Sequence, residues 1–331
     1  MGATLIFVSY REATERSEQR ILGPRAQLSG RSRGRSVPEP EDDIRTCYQR
    51  DQDRIVHSKA FRRLAHKTQV FLAPEGDHYR VRLTHTLEVT QVARTIARAL
   101  RLNEDLTEAI CLGHDLGHTP FGHMGEEVVA RFQPGFRHNL QSVRIVEVLE
   151  DLNLTWEVRD GIANHTWSMP MPSTLEGQIA RYADRIAYLN HDIDDAIRAG
   201  ILAESDLPET TRTVLGPNHH DRIGKMVTDL VSVSQGQPQI QMSEPISEAM
   251  SETRAFLFER VYLGRVTEAT RDAVGHILGM LLDHHAAEGD QAEESERRVA
   301  AVDYVAGMTD RFALRAVEAL VGSPAPFTVL G

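Results

Sequence analysis

Two cysteines, Cys47 and Cys111, in a chain of 331 residues leave no material for a disulfide framework. No apolar run approaches the roughly 20 residues that a helix needs to cross a bilayer. The apolar stretch Thr4–Val8 is too short for the core of a secretion signal and has no cleavage site behind it. Cytoplasm is the expected location. Also missing are strand runs that alternate with helices, internal repeats, and both common glycine-rich phosphate loops. An excess of positive charge is lacking too. Lys and Arg number 37 against 48 Asp and Glu, a net charge of −11, which excludes a wholly basic nucleic-acid binder. With 41% hydrophobic and 26% charged residues, disorder throughout is excluded as well. The length allows one large domain or two modest ones.

The first fifty residues differ from the rest. Arg11, Arg16, Arg20, Arg25, Arg31, Arg33, Arg35, Arg45 and Arg50 sit among Ser, Gly and Glu, with Pro38 and Pro40 nearby. This composition predicts an extended, solvated arm, with a basic strip for a neighbouring subunit or a phosphate-bearing ligand as the sharper reading. Beyond it the periodicity is helical. Leu83, Leu87, Val92, Ile96 and Leu100 mark one stripe, and Asn103 is placed to cap the next helix. Glycines and Pro120 then interrupt, and helix resumes at Glu126. Further helices are predicted over 138–151, 155–166, 173–199, 221–234, 244–262, 267–286 and 295–321. The expected fold class is all-α, with an arm (1–50), a site-bearing core (51–200) and a C-terminal helical region packed on that core (201–331).

What the chain has in quantity is histidine, 15 in all. The segment from Leu112 to Glu126 concentrates them. His114 and Asp115 are adjacent where glycines let the backbone bend, and imidazole with carboxylate suits Mg²⁺, Mn²⁺, Fe²⁺, Co²⁺ or Zn²⁺. Two ligands do not hold a metal. His85 on the first amphipathic helix and Asp184 on the helix 173–199 complete a His…His-Asp…Asp set from three helices, with positions left for water and substrate. A rival pair, His114 and His118, has i, i+4 spacing, but the acid between them is Asp and Gly117 and Pro120 break the helix such a zinc motif requires. His66 and His165, each alone in its stretch, read as satisfied or exposed histidines. On the helix of Asp184, Tyr188 and Asp192 follow at i+4 and i+8 and share its face.

These residues resemble the HD-domain phosphohydrolase superfamily and, within it, the deoxyguanosine triphosphate triphosphohydrolase-like family. The likeness is carried by the runs Arg50–Leu64, Lys67–Phe71, Tyr79–Val89, Phe136–Ser142 and Ala183–Asp192, and it spans about residues 33–200. It implies a metal-dependent reaction in which water attacks the α-phosphorus of a deoxynucleoside triphosphate, releasing deoxynucleoside and intact inorganic triphosphate. It implies a divalent ion (Mg, Mn, Fe or Co) on His85, His114, Asp115 and Asp184. His123, oriented by Glu126, is the candidate acid for the departing O5′, with a role as base equally open to it. His118 and His138 are expected in the phosphate pocket, Arg82 and Arg185 on phosphate, Gln69 near sugar and base, Tyr188 against C2′ and Asp192 on the 3′-hydroxyl. The resemblance further implies a homo-oligomer, hexamers included, an activating nucleotide in some members and single-stranded DNA binding in others. Two other readings stand beside it: hydrolysis of another phosphoester, such as a nucleoside monophosphate or guanosine tetraphosphate, and a nucleotide- or DNA-binding regulator without turnover.

Overall fold

The computed structural model describes residues 9–69, 80–263, 268–288 and 293–322. Thr4–Val8, the signature residues Val70, Phe71 and Tyr79, and Thr267 at the start of one predicted helix lie outside them. Among the described residues there is no β-strand, only the isolated bridges Arg35–Thr155 and Thr68–Val81. The all-α expectation holds. No described helix is long and apolar enough to cross a membrane.

The centre is built by α4 (Arg82–Leu100) lying against α5 (Glu104–Gly113) and α9 (Leu175–Arg198), with α2 (Cys47–His57) and α8 (Trp156–Asn164) packed on α5. Asn103 caps α5 as expected, its side chain accepting from the Leu106 N–H at 3.1 Å. The predicted apolar stripe of α4 lies partly on its buried face, with Ile96 fully buried and Leu83, Val92 and Leu100 packed against the core in part. Val89, Ala93, Ile96 and Ala97 point inward with His85 and Thr86, while Leu87 is 51% exposed. The polar residues His85 and Thr86 occupy part of the inward face, so hydrophobicity alone does not trace all of it.

Three further expectations are corrected. The arm is not extended throughout: Tyr10–Ile21 forms α1, started by a capping box in which Ser9 and Glu12 exchange hydrogen bonds. Part of its basic strip is matched within the chain, with Arg11 on Glu15 (2.9 Å), Arg45 on Asp42 (2.7 Å), Arg50 on Glu39 (2.6 Å) and Arg35 on the buried Asp51. Helix α6 runs Gly122–Phe132, starting before Glu126. Phe121 and Gly122 take left-handed φ of 60° and 59° to make that start. The span 295–321 is two helices, Glu294–Ala306 and Asp310–Val321, because Thr309 caps the second through the Phe312 N–H at 3.3 Å.

The remaining helices are α3 (Lys59–Arg63), α7 (His138–Arg144), α10 (His219–Ser234), α11 (Glu244–Leu257) and α12 (Glu268–Ala287), so that the two C-terminal ones become α13 and α14. Side chains of α10 and α11, such as Met226, Leu230 and Met250, join the hydrophobic cluster of α2, α4, α5 and α9. A second cluster joins Phe121 and Val129 to Ile277, Leu281, Val305 and Val317 of α12–α14.

Candidate active site

The turn after α5 is set by one close approach. A Cβ on Gly117 would overlap the backbone of Gln141 and Ser142 on α7. With none there, the Gly117 N–H donates to Ser142 Oγ at 2.8 Å, and the Ser142 hydroxyl donates to the His114 carbonyl at 2.7 Å. His114, at the end of α5, donates its Nδ1–H to the Cys111 carbonyl at 2.6 Å, which leaves Nε2 as a bare lone pair. That Nε2 is buried and has no hydrogen-bond partner.

Three acceptor-type groups surround it. Asp115 Oδ1 lies 3.6 Å and Asp184 Oδ1 3.8 Å from His114 Nε2. His85 Nε2, from α4, lies 3.2 Å from the same Asp184 oxygen. Donors each about 2.1 Å from one ion sit about 3 to 3.5 Å apart, so these separations and this neutral-imidazole and carboxylate set fit a divalent cation. Burial pushes the Asp115 carboxyl up, but the adjacent His114 and Arg82 outweigh it and hold the group well below the carboxylate range. Asp184 is likewise lowered to about 2 despite burial, chiefly through the His85 ring beside it and the nearby His114. Both carboxylates are therefore ionised.

A second group adjoins the first. Arg82 donates to Asp115 Oδ2 at 2.7 Å. His138, the first residue of α7, lies with Nε2 4.0 Å from Asp115 Oδ1 and donates its Nδ1–H to Glu126 at 2.9 Å. His165 ends α8 with the device His114 uses on α5: its Nδ1–H donates to the Ile162 carbonyl at 2.8 Å. His165 Nε2 is then an acceptor, and the 3.3 Å contact with His138 Nε2 has His138 as donor. His138 thus carries both protons. Burial works against that charge and Glu126 more than offsets it, so its pKa is raised. His118 stacks on His138 with ring centres 4.7 Å apart, and burial together with Arg82 and His138 holds it well below the ordinary histidine range. His123 is 71% exposed at the edge, its Nδ1 3.9 Å from Glu126 Oε2. The rival His114–His118 pair does not lie on one helix, since α5 ends at Gly113.

Along α9, Tyr188 is partly buried and its hydroxyl is pushed up to about 12 by burial, so it stays neutral. Asp192 is buried with Oδ1 unpartnered, and burial together with Asp195 raises its carboxyl well above the ordinary range. Arg185 lies over the Trp167 ring at 4.3 Å. Gln69 and Arg82 meet at the start of α6: a Cβ on Gly122 would sit 3.5 Å from the Gln69 carbonyl and 3.7 Å from the Arg82 guanidinium. The side-chain oxygen of Gln69 is buried without a partner.

Residue types in isolation miss two members of this region. His165 reads as a lone histidine, yet its ring lies 5.1 Å from that of His114. Its only signal is its position at the end of an amphipathic helix, where the i−3 carbonyl is open. His191 reads as part of a signature run, yet its Nδ1 is 3.2 Å from His85 Nδ1. His66, by contrast, is exposed.

An all-helical fold with this His…His-Asp…Asp arrangement defines an HD-domain protein. The HD domain matches residues 82–189, and the phosphohydrolase-associated domain matches residues 240–319. A deoxyguanosinetriphosphate triphosphohydrolase-like protein from Caldanaerobacter subterraneus subsp. tengcongensis is 56% identical, covering 92% of this chain and 93% of its own. Another of that name, from Clostridium tetani, is 44% identical over 93% and 95%. A solved structure of a hypothetical protein from Aquifex aeolicus, 20% identical, aligns over 80% of this chain and 67% of its own with a TM-score of 0.47. The chain belongs to the deoxyguanosinetriphosphate triphosphohydrolase-like family, within the metal-dependent HD-domain phosphohydrolases.

Proposed function

We propose that the chain hydrolyses deoxynucleoside triphosphates at the α-phosphorus, giving deoxynucleoside and inorganic triphosphate. The observation that carries this reading is the face of α9. Asp184, beside the two ligand imidazoles, is followed on that face by Tyr188 and then by Asp192, whose buried Oδ1 has no partner. Each step of four residues rises about 6 Å. A phosphate held at Asp184 therefore leaves a sugar beside Tyr188 and Asp192. The names of the relatives, deoxyguanosinetriphosphate triphosphohydrolase-like, support the same substrate class.

A divalent cation on His85, His114, Asp115 and Asp184 supplies Lewis-acid polarisation of the phosphate when bound. The chain's own groups do the rest. Arg82 and the doubly protonated His138 bring positive charge to the phosphate side of Asp115. Glu126 holds His138 by its Nδ1–H and faces His123, which stands at the edge to protonate the departing O5′. His118, kept neutral, stacks on His138 and fixes its plane. Tyr188 packs against C2′ and excludes a 2′-hydroxyl, and Asp192 accepts from the 3′-hydroxyl. Gln69 and Arg185 complete the substrate contacts. The reading includes a cytoplasmic homo-oligomer, which light scattering checks.

The test is incubation with each deoxynucleoside triphosphate, alone and mixed, with Mn²⁺ or Mg²⁺, resolved by ion-exchange chromatography. Tripolyphosphate with nucleoside is the expected product pair, lost in Asp115→Ala while helical content persists. Orthophosphate or diphosphate with a nucleotide would transfer the site to another phosphoester, and binding without any product would make the chain a regulator.

A further inference from the structure

We infer that Glu88 and His191 are positioning residues that fix the tautomer of His85 and so present its Nε2 bare to the metal. The inference rests on His85 being a metal ligand.

The need for such a device comes from where His85 sits. His114 and His165 end their helices, where the i−3 carbonyl is open to accept an Nδ1–H. His85 lies in the first turns of a 19-residue helix, where carbonyls are committed to the helix ladder. Its Nδ1 must find a side chain instead. It finds His191 of α9, Nδ1 to Nδ1 at 3.2 Å.

The direction of that bond follows from the far end of the chain of contacts. His191 Nε2 lies 2.8 Å from Glu88 Oε2. An ionised carboxylate only accepts, so His191 Nε2 is the donor. The other nitrogen of a neutral His191 is then a lone pair. Two lone pairs 3.2 Å apart would repel, so His85 carries its proton on Nδ1 and donates it to His191. On a neutral His85 nothing remains on Nε2 except its lone pair, 3.2 Å from Asp184 Oδ1. A bare nitrogen facing a carboxylate oxygen at that distance is unfavourable unless a cation lies between them. Two other proton arrangements satisfy the same atoms: a doubly protonated His191 donates to His85 Nδ1 while His85 Nε2–H donates to Asp184, or a doubly protonated His85 donates to both His191 and Asp184. Each occupies the metal-facing lone pair and is incompatible with ligation.

Glu88 is itself held. Arg80 donates to its carboxylate at 3.2 Å and reaches Asp194 and Asp195 of α9 at 3.0 and 2.6 Å. The sequence Glu88, His191, His85 therefore bridges α4 and α9 twice and passes carboxylate charge towards the ligand nitrogen, raising its basicity.

Two substitutions separate positioning from packing. Leu at position 191 keeps bulk but has no acceptor for His85. Gln keeps both functions, its oxygen accepting from His85 and its amide donating to Glu88. His191→Leu is expected to lose about 10- to 100-fold in Mn²⁺ affinity by calorimetric titration, and His191→Gln to recover most of that loss. In the unmodified chain loaded with Zn²⁺, long-range ¹H–¹⁵N spectra of labelled histidine should show His85 protonated at Nδ1. Unchanged Mn²⁺ affinity in a folded His191→Leu chain, or His85 protonated at Nε2, would overturn the inference. Should His191→Leu not fold, the spectrum and the Gln variant still decide. If the unmodified chain binds no Mn²⁺, as Asp115→Ala is expected not to, the ligand reading itself falls and takes this one with it.

Discussion

Asp310 accepts the backbone N–H of Phe121 at 3.0 Å across 189 residues of chain. Its second oxygen takes the Thr68 N–H at 2.9 Å and the Thr68 hydroxyl. Nearby, the buried Lys67 donates to the carbonyls of His118 and Ala306, the latter at 2.8 Å. The turn between α13 and α14 thus braces the left-handed start of α6, the helix of His123 and Glu126. Asp310→Ala leaves three buried donors unpaired, so a stability loss of about 3 kcal/mol in urea unfolding is expected. Turnover number should fall more than substrate affinity, because the braced loop orients groups that act on the leaving oxygen. Equal kcat in a folded variant would show that α6 holds its start without help.

His165 accepts from His138 and touches no other described ionisable group at hydrogen-bonding distance. His165→Leu removes that acceptor and leaves His85, His114, Asp115 and Asp184 in place. The expected result is an unchanged Mn²⁺ stoichiometry with kcat lowered about tenfold, the size of a lost charge-assisted hydrogen bond. Loss of the metal along with the rate would make His165 a ligand.

Much of the candidate site is legible in the sequence, and the reason is local. His114, Asp115 and the glycines around them lie within a few residues, and helical spacing alone puts Asp184, Tyr188 and Asp192 on one face. What escaped depends on distant partners or on end effects. His165 differs from an idle histidine only by ending a helix beside α7. Asp310 looks like an ordinary first-turn acid, since nothing near it in sequence reveals Phe121 or Thr68. The density of arginine around it hides the capping box of Ser9 and Glu12, and the polar residues His85 and Thr86 hide part of the inward face of α4.

Tyr188 is the residue expected to tell deoxyribose from ribose. Its ring is partly buried, packed against the main hydrophobic cluster, and so holds its place. Tyr188→Ala should narrow the preference for deoxynucleoside over ribonucleoside triphosphate by about 10- to 100-fold in kcat/KM, the range of one lost steric exclusion. An unchanged ratio would move sugar selection elsewhere.

Stability should depend on pH through Glu176, at the start of α9. Its Oε1 accepts the N–H groups of Gln27 and Asn103, each at 3.0 Å, while Oε2 is buried without a partner. Burial outweighs those two bonds and pushes the carboxyl from 4.5 up to about 7. Between these values the folded chain keeps a proton that the unfolded chain has lost. The folded state binds more protons there, so stability falls as pH rises, is unpenalised below the lower value and fully penalised above the upper one. The whole effect is on the order of 3 kcal/mol. Glu176→Gln keeps an oxygen for the two N–H groups and removes the ionisation. Unfolding free energies of the two chains, measured in urea at pH 4.5 and at pH 8, should therefore diverge in favour of the variant by about that amount. A difference that stays constant across the range would mean that Glu176 ionises in the folded chain as an exposed carboxyl does.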